Sequence, residues 1–210
     1  MFGVADNSVF EEFEREELRN PSARKEIDGR LIYISRKINT PEKYIGAPVL
    51  CDFGSAVFDG EKKNTKLVQP NMYRAPEVIL RSPWNCKIDI WNAGCMLWDI
   101  FEGRNLFSNP EHKTYDSQTH LASIIGLLGP PPLGLLKRGT VSAEFFTAEG
   151  KFKGGIELPP ASSLDQIEAR YQGQDQDLFL KFVRKMIQWA PDNRSTANEL
   201  LHDAWLNSKL

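Results

Sequence analysis

Cys51-Asp52-Phe53-Gly54 opens, and Tyr73-Arg74-Ala75-Pro76-Glu77 closes, the stretch from which the rest of this chain is read. The apolar run Ala47 to Leu50 reads as a short buried strand that delivers Asp52 to a turn. Gly54 makes that turn possible, because glycine adopts positive φ without steric cost. A carboxylate at a strand's tip beside a flexible turn suits Mg2+, which takes one or two protein carboxylates together with phosphate oxygens. Asp-Phe-Gly alone is compatible with any turn. Ala-Pro-Glu at a loop's distance downstream argues against coincidence.

Between the two ends, residues 55–71 carry turn formers (Asp59-Gly60, Asn64), several charges and little apolar periodicity, and read as a loop. Thr65 and Tyr73 are candidate phosphorylation sites, or simply unmodified loop residues. Pro76 fits the first turn of a short helix reaching about Leu80, where its missing amide is an orphan in any case. Ile88 to Glu102 is the strongest helix pattern in the chain. Ile88, Trp91, Cys95 and Trp98 share one face, and Ile90, Gly94, Leu97 and Phe101 another. That predicts a helix buried almost all round, the central post of a domain, with Gly103 as a left-handed stop. Asp89 near its start is a carboxylate entering a buried helix, which needs hydrogen-bond donors; a plain helix N-cap is its other reading.

Leu121, Ile124, Ile125 and Leu128 keep helical spacing, as do Phe179, Phe182, Val183 and Met186 with Ile187 extending the stripe. Both read as core faces. Gly129-Pro130 ends the first of these helices, and residues 133–176 read as a long surface excursion packed at intervals by Phe145, Phe146, Phe152 and Tyr171. Thr196 to Glu199 has the form of a capping box that opens a last helix through Trp205. Towards the N-terminus, Ser8 to Glu11 has the same form and predicts a helix from about Val9 to Leu18, ended by Asn20-Pro21. Its glutamates, Glu11, Glu12, Glu14, Glu16 and Glu17, suit a basic partner or a solvated face. Leu31 to Ile34 reads as a strand.

With 26 Lys and Arg against 28 Asp and Glu, the net charge of −2 predicts neither nucleic-acid nor membrane binding by bulk electrostatics. Cys51, Cys86 and Cys95 are odd in number and scattered, which favours a reducing, intracellular setting, cytoplasm or nucleus, over a disulfide framework. His112, His120 and His202 show no zinc-ligand spacing with them. No basic stretch precedes an apolar one at the start, so no secretory signal is expected. The longest apolar segment, residues 88–101, is too short and too polar to span a bilayer.

Asp-Phe-Gly and Ala-Pro-Glu at this separation belong to the signature set of the eukaryotic protein kinases, and the chain resembles that family over nearly its whole length. The resemblance makes residues 1–210 a partial kinase domain: a charged insert at 5–46, a magnesium and activation segment at 47–77 and a helical lobe at 78–210. The fold implied is mainly α, a kinase-like C-terminal helical lobe with a few short strands and no N-terminal lobe. Met1–Val4 and Val49–Cys51 stand where the family has the strands flanking the insert. Asp52, Phe53 and Gly54 then face ATP, with Asp52 the Mg2+ ligand. Met72, Tyr73 and Arg74 lie beside the protein substrate's acceptor residue. Asp-Ile-Trp-Asn-Ala-Gly at 89–94 is similar to the motif that opens the family's central helix, where Asp89 accepts hydrogen bonds from the catalytic loop. Arg194 becomes the partner of Glu77 in a buried bidentate pair. Leu-Leu-Gly-Pro-Pro-Pro at 127–132, and residues 114–125, resemble the group of cyclin-dependent, MAP and SR-protein kinases, and the last of these in particular. Those phosphorylate serines in Arg/Ser-rich splicing factors.

Phosphoryl transfer also needs a Gly-rich cover, a Lys–Glu pair and a catalytic loop. None of the three motifs is found in the 210 residues, so no catalytic base is retained and the chain alone is expected to be inactive. By register Met1 falls just after the catalytic loop, as if the chain were the later half of a kinase domain that pairs with a separate N-terminal half. The alternative is a non-catalytic, kinase-like binding module, marked by an exposed apolar face around Met1–Val4, Phe53 and Ile88.

Overall fold

The computed structural model describes residues 2–4, 6–38, 45–58, 64–107 and 114–208. Met1, Asp59-Gly60 and His112 lie outside the described residues. The chain forms two compact units, Met1–Phe58 and Asp59–Leu210, and their boundary falls inside the stretch read as continuous from 47 to 77.

In the first unit, β1 (Phe2–Val4) pairs antiparallel with β4 (Ile45–Pro48), with Phe2 opposite Pro48 and Val4 opposite Ile45. This corrects the expected pairing with residues 49–51. Pro48 has no amide to donate, so the ladder stops there. Nor is the strand buried as expected: β4 is largely exposed and Leu50 is 84% exposed, since a two-stranded ladder is too narrow to enclose its own side chains.

Helix α1 (Ser8–Arg19) begins one residue earlier than its sequence pattern predicts. Ser8 is therefore already helical, and the expected capping box is replaced by the Asp6 carboxylate, which accepts from the Ser8 amide at 2.8 Å. Arg15 reaches Glu11 and Glu12 across an exposed surface, as on a solvated face. Glu17 differs: its two oxygens accept from the amide and hydroxyl of Ser22 and pair with Arg36, closing the helix end. A hairpin of β2 (Arg24–Ile27) and β3 (Arg30–Tyr33) follows. Asp28 and Gly29 both have positive φ, the conformation a two-residue hairpin turn requires. The sequence pattern predicts only the second of these strands.

The second unit is helical and built around α3 (Lys87–Glu102), preceded by α2 (Pro76–Ile79). Gly103 stops α3 at φ +70. Ile88, Trp91, Cys95 and Trp98 are buried, but Met96 and Ile100 are 49% and 63% exposed. The helix is thus covered on one side and its flanks, and not all round. Among the described residues, α8 (Gly173–Arg184) and the 3-10 turns Asn71–Tyr73 and Pro191–Asn193 pack on it. A Cβ on Gly94 would fall 2.9 Å from the side chains of Met186 and Ile187, so this glycine allows the close approach of the turn after α8.

The predicted apolar stripes lie on α4 (Ser117–Leu128) and α8, with Leu121, Ile124, Phe179 and Val183 at or near zero exposure. Phe179 is the hub of an aromatic cluster, its ring centroid 5.3 to 6.0 Å from those of Trp98, Phe101, Tyr171 and Trp205. The supposed surface excursion contains three short helices, α5 (Leu133–Arg138), α6 (Ser142–Phe145) and α7 (Leu164–Ile167). Each is too short to show periodicity, so the sequence pattern predicts no helix there. The capping box at Thr196 and Glu199 forms and opens α9 (Ala197–Leu201). The helix expected to run on to Trp205 breaks at His202, and Asp203 caps a further turn, α10 (Ala204–Asn207), by accepting from the Trp205 amide.

Candidate functional site

Pro76 occupies the first position of α2, and this fixes the backbone that carries Glu77 inward. The 3-10 turn Pro191–Asn193 aims Arg194 at it from 117 residues away. The two side chains are fully buried and joined bidentately, Arg194 Nη1 to Glu77 Oε1 at 2.6 Å and Nη2 to Oε2 at 2.7 Å. Arg194 also donates from Nε to the Gln188 carbonyl, from Nη1 to that of Lys87 and from Nη2 to that of Trp189. All five of its N–H bonds therefore have acceptors, which is what makes a charge tolerable at this depth. Its guanidinium lies over the Trp91 ring at 5.0 Å, and the Lys87 ammonium donates to the Arg194 carbonyl. One arginine thus joins α2, the start of α3 and the segment after α8.

The residues just before Glu77 are held by a second set of bonds. Gln69, at φ +69, donates from its carboxamide to the Ile88 carbonyl and accepts from the Ala75 amide. Arg74 is 7% exposed and folds back on its own loop, donating to the carbonyls of Val68 and Gln69 and to Asn71 Oδ1, with its guanidinium 5.0 Å from the Tyr115 ring. This corrects the grouping of Met72, Tyr73 and Arg74 as one surface: Arg74 is occupied internally, while Met72 is 47% exposed. Tyr73 donates to Asp99 Oδ2 of α3 at 2.5 Å, and Asn105 donates to the same oxygen and to the Met72 sulfur. Beneath them His120 is buried against Tyr115 and Phe107. Burial and the nearby Arg74 charge push its imidazole down to about 4, so it is neutral at neutral pH.

The bond to Asp99, then burial, pushes the Tyr73 phenol up to about 12 from 10.0. A raised phenol stabilises the folded chain below its unfolded value, and this contribution fades as pH climbs from 10.0 through about 12. Tyr171 is also pushed up, by burial and the nearby Asp175 and Glu168, so ultraviolet titration of phenolate should show late-ionising tyrosine, and Tyr73→Phe should remove its latest component, near pH 12. A difference spectrum unchanged by Tyr73→Phe would contradict the assignment.

Asp89 lies in the first turn of α3, exposed and without a side-chain hydrogen bond among the described residues, its carboxyl pushed up by partial desolvation. The N-cap reading is overturned: Cys86 holds that position, and the Asn85 carboxamide serves the Lys87 amide. In the first unit Asp52 is exposed, and it adopts the left-handed conformation itself, at φ 65 and ψ 56. Phe53–Ser55 forms a 3-10 turn after it, and Phe53 is 65% exposed. The positive φ assigned from sequence to Gly54 therefore belongs to Asp52, one of the residue types that tolerate it. Gln69, Asp99 and Asn105 escaped the sequence reading. Asp99 shows in the sequence only as a polar residue within the apolar run of α3, and a glutamine carries no signal for positive φ.

A family model described as the protein kinase domain matches residues 42–206. A serine/threonine protein kinase of Aspergillus fumigatus is 40% identical over 208 residues, covering 96% of this chain and 51% of that protein. Serine/threonine-protein kinase SKY1 of Saccharomyces cerevisiae is 32% identical over 180 residues, 84% of this chain and 24% of its own length. Serine/threonine-protein kinase SRPK of Physarum polycephalum is 31% identical over 170 residues, 78% of this chain and 40% of its own. The chain spans about half the length, or less, of these relatives. It belongs to the protein kinase family, among serine/threonine kinases similar to the SR-protein kinase branch.

Proposed function

We propose that this chain supplies the substrate-facing, fold-holding part of a serine/threonine kinase that moves the γ-phosphoryl group of ATP to protein hydroxyls, with Arg/Ser-rich proteins as the substrate class. The buried Glu77–Arg194 pair supports this reading most directly, because it locks the segment ending in Ala-Pro-Glu onto the helical lobe. Met72 and Tyr73, held by Asp99 and Asn105, are then the surface that meets the substrate. Asp52 fits a magnesium ion as a single exposed carboxylate. Among the described residues no three acidic, histidine or cysteine side chains gather into a metal cluster. Such an ion would complete its shell with phosphate oxygens and water. Mg-ATP supplies the transferred group; the chain's own part is to orient the metal through Asp52 and the peptide through residues 71–73.

A γ-phosphate transfer assay with Mg-ATP and an Arg/Ser-rich peptide tests this. The purified chain alone should not turn over, and adding the segment of the Aspergillus relative that precedes the matched region should restore transfer, dependent on Asp52. Turnover by the chain alone that disappears with Asp52→Ala would show that it needs no other half. A silent mixture beside an active intact relative would count against a catalytic role.

A non-catalytic binding module remains the second reading, favoured by the exposed Met96 and Ile100 on the central helix. The face expected for it around Ile88 is corrected, since Ile88 is 5% exposed. Among the described residues no helix is long and apolar enough to cross a membrane.

A further inference from the structure

The first unit leaves open two apolar surfaces that the kinase reading does not use. One is the hairpin, in which all eight residues of β2 and β3 are exposed. Residues directly opposite each other share a face, and successive residues alternate between faces. The pairs Lys25–Ile32 and Ile27–Arg30 therefore lie on one face, and the Ile34 amide, donating to the Ala23 carbonyl at 2.9 Å, adds a third rank to it. This face carries the exposed Ile27, Ile32 and Ile34 and no carboxylate. Lys25 and Arg30 have no acidic partner among the described residues. Glu26 lies on the opposite face with Arg24, and Asp28 sits in the turn beyond. A two-stranded ladder is marginally stable in water, so a hairpin open on both faces is stabilised by whatever covers it. The other surface is on α1. Val9 is buried, and at about 100° per residue Phe10, Glu14 and Leu18 form a stripe well round the helix from it. Phe10 and Leu18 are exposed, Leu18 to 83%. Most other charges on the helix are engaged, Arg15 with Glu11 and Glu12, and Glu16 and Glu17 with Arg36. Glu14 is exposed with no cationic partner among the described residues, and Arg19 lies on another side of the helix.

We propose that the chain pairs with a second copy of itself through these two surfaces, the α1 stripe of each copy lying along the Lys25–Ile32 face of the other. Charge and size both argue for this occupant. The stripe runs apolar, acidic, apolar, and the face that receives it is apolar and basic. The carboxylate and the two cations it meets are the ones left unpaired within the chain, so the contact satisfies groups that folding alone does not. Phe10 to Leu18 spans about 12 Å at 1.5 Å per residue, and the three ranks of the face span about 13 Å at 3.3 Å per residue. Glu14 at the middle of the stripe then falls at the middle rank, beside Lys25, while Phe10 and Leu18 cover the isoleucines. The contact lies wholly within the first unit and does not depend on phosphoryl transfer.

Sedimentation equilibrium of the purified chain tests the proposal. The chain should dimerise at or below about 0.1 mM. Glu14→Lys should weaken the dimer about hundredfold, because a reciprocal contact meets the like charge twice, and Lys25→Glu combined with Arg30→Glu should do the same. An equimolar mixture of these two variants should dimerise again, since each offers the other opposite charges at both contacts. One chain carrying all three substitutions should pair as the unsubstituted chain does. The three positions are exposed, so far-ultraviolet circular dichroism of the dilute variants should match that of the original chain, which separates loss of pairing from loss of fold. A chain still monomeric at about 0.5 mM, a dimer indifferent to either charge reversal, or a mixture and a triple variant that both stay monomeric would each overturn the proposal. So would a series of larger species, because matched surfaces that do not close on one partner build an open chain.

Discussion

Arg194→Ala and Glu77→Ala should each lower the unfolding free energy by about 3–5 kcal/mol, and the double variant should be little worse than either single one. Both side chains are at zero exposure, so removing one leaves the other as an unpaired charge far from water. Most of the expected loss is that orphaned charge, and this is why the second removal adds little. Arg194→Ala also strips acceptors at Gln188, Lys87 and Trp189 of their donor, so it should be the worse of the two singles. Urea melts of the four chains make the test, and losses that simply add would mean that the two groups stabilise the fold independently. A Glu77→Gln variant gives a finer reading: it keeps the shape and removes the charge, and it should still cost a large part of the effect because the guanidinium remains buried.

The second large effect is expected at Phe179. Its ring is completely buried and sits at the meeting point of Trp98 from α3, Phe101 from the same helix, Tyr171 and Trp205. Phe179→Ala should cost about 3–5 kcal/mol, through lost transfer energy and a cavity that four rigid rings cannot close. Phe179→Leu, which refills much of the space, should recover more than half of that. If Phe179→Leu melts no better than Phe179→Ala, restored bulk does not help, and the loss comes from the ring contacts and not from the cavity.

Both predictions draw on interactions that the sequence discloses unequally. Local chemistry was legible because its partners are neighbours in the chain. Pro76 opening a helix, Gly103 closing one, and Thr196 reciprocating with Glu199 each follow from residues a few positions apart. The core faces of α4 and α8 were legible for a related reason, since one helix repeats its burial every turn. Where a local signal failed, a competing local group had replaced it. Asp6 took the Ser8 amide that a capping box would give to Glu11, and Asp52 took the left-handed conformation meant for Gly54. The hairpin at Asp28-Gly29 is a different case: its turn signal is present, but the flanking strand, Arg24–Ile27, is too polar to show a strand pattern.

By itself, the order of residues established that a short helix would begin at Pro76, that a long one would form the central post, and that Asp-Phe-Gly and Ala-Pro-Glu together resemble a kinase signature. It paired Glu77 with Arg194 only through that resemblance, for nothing in either local context points to a residue 117 positions away. The tertiary structure alone decided that Arg74 turns inward, that Tyr73 rests on Asp99, that Gln69 bridges to the start of α3, and that Met96 and Ile100 stay exposed on the helix expected to be enclosed. The reason is physical. Helix propensity, caps and turns act over a few bonds and are written in adjacent residues. Which buried donor meets which acceptor depends instead on how far apart the packed helices and loops leave them, and that distance is set by the whole core at once.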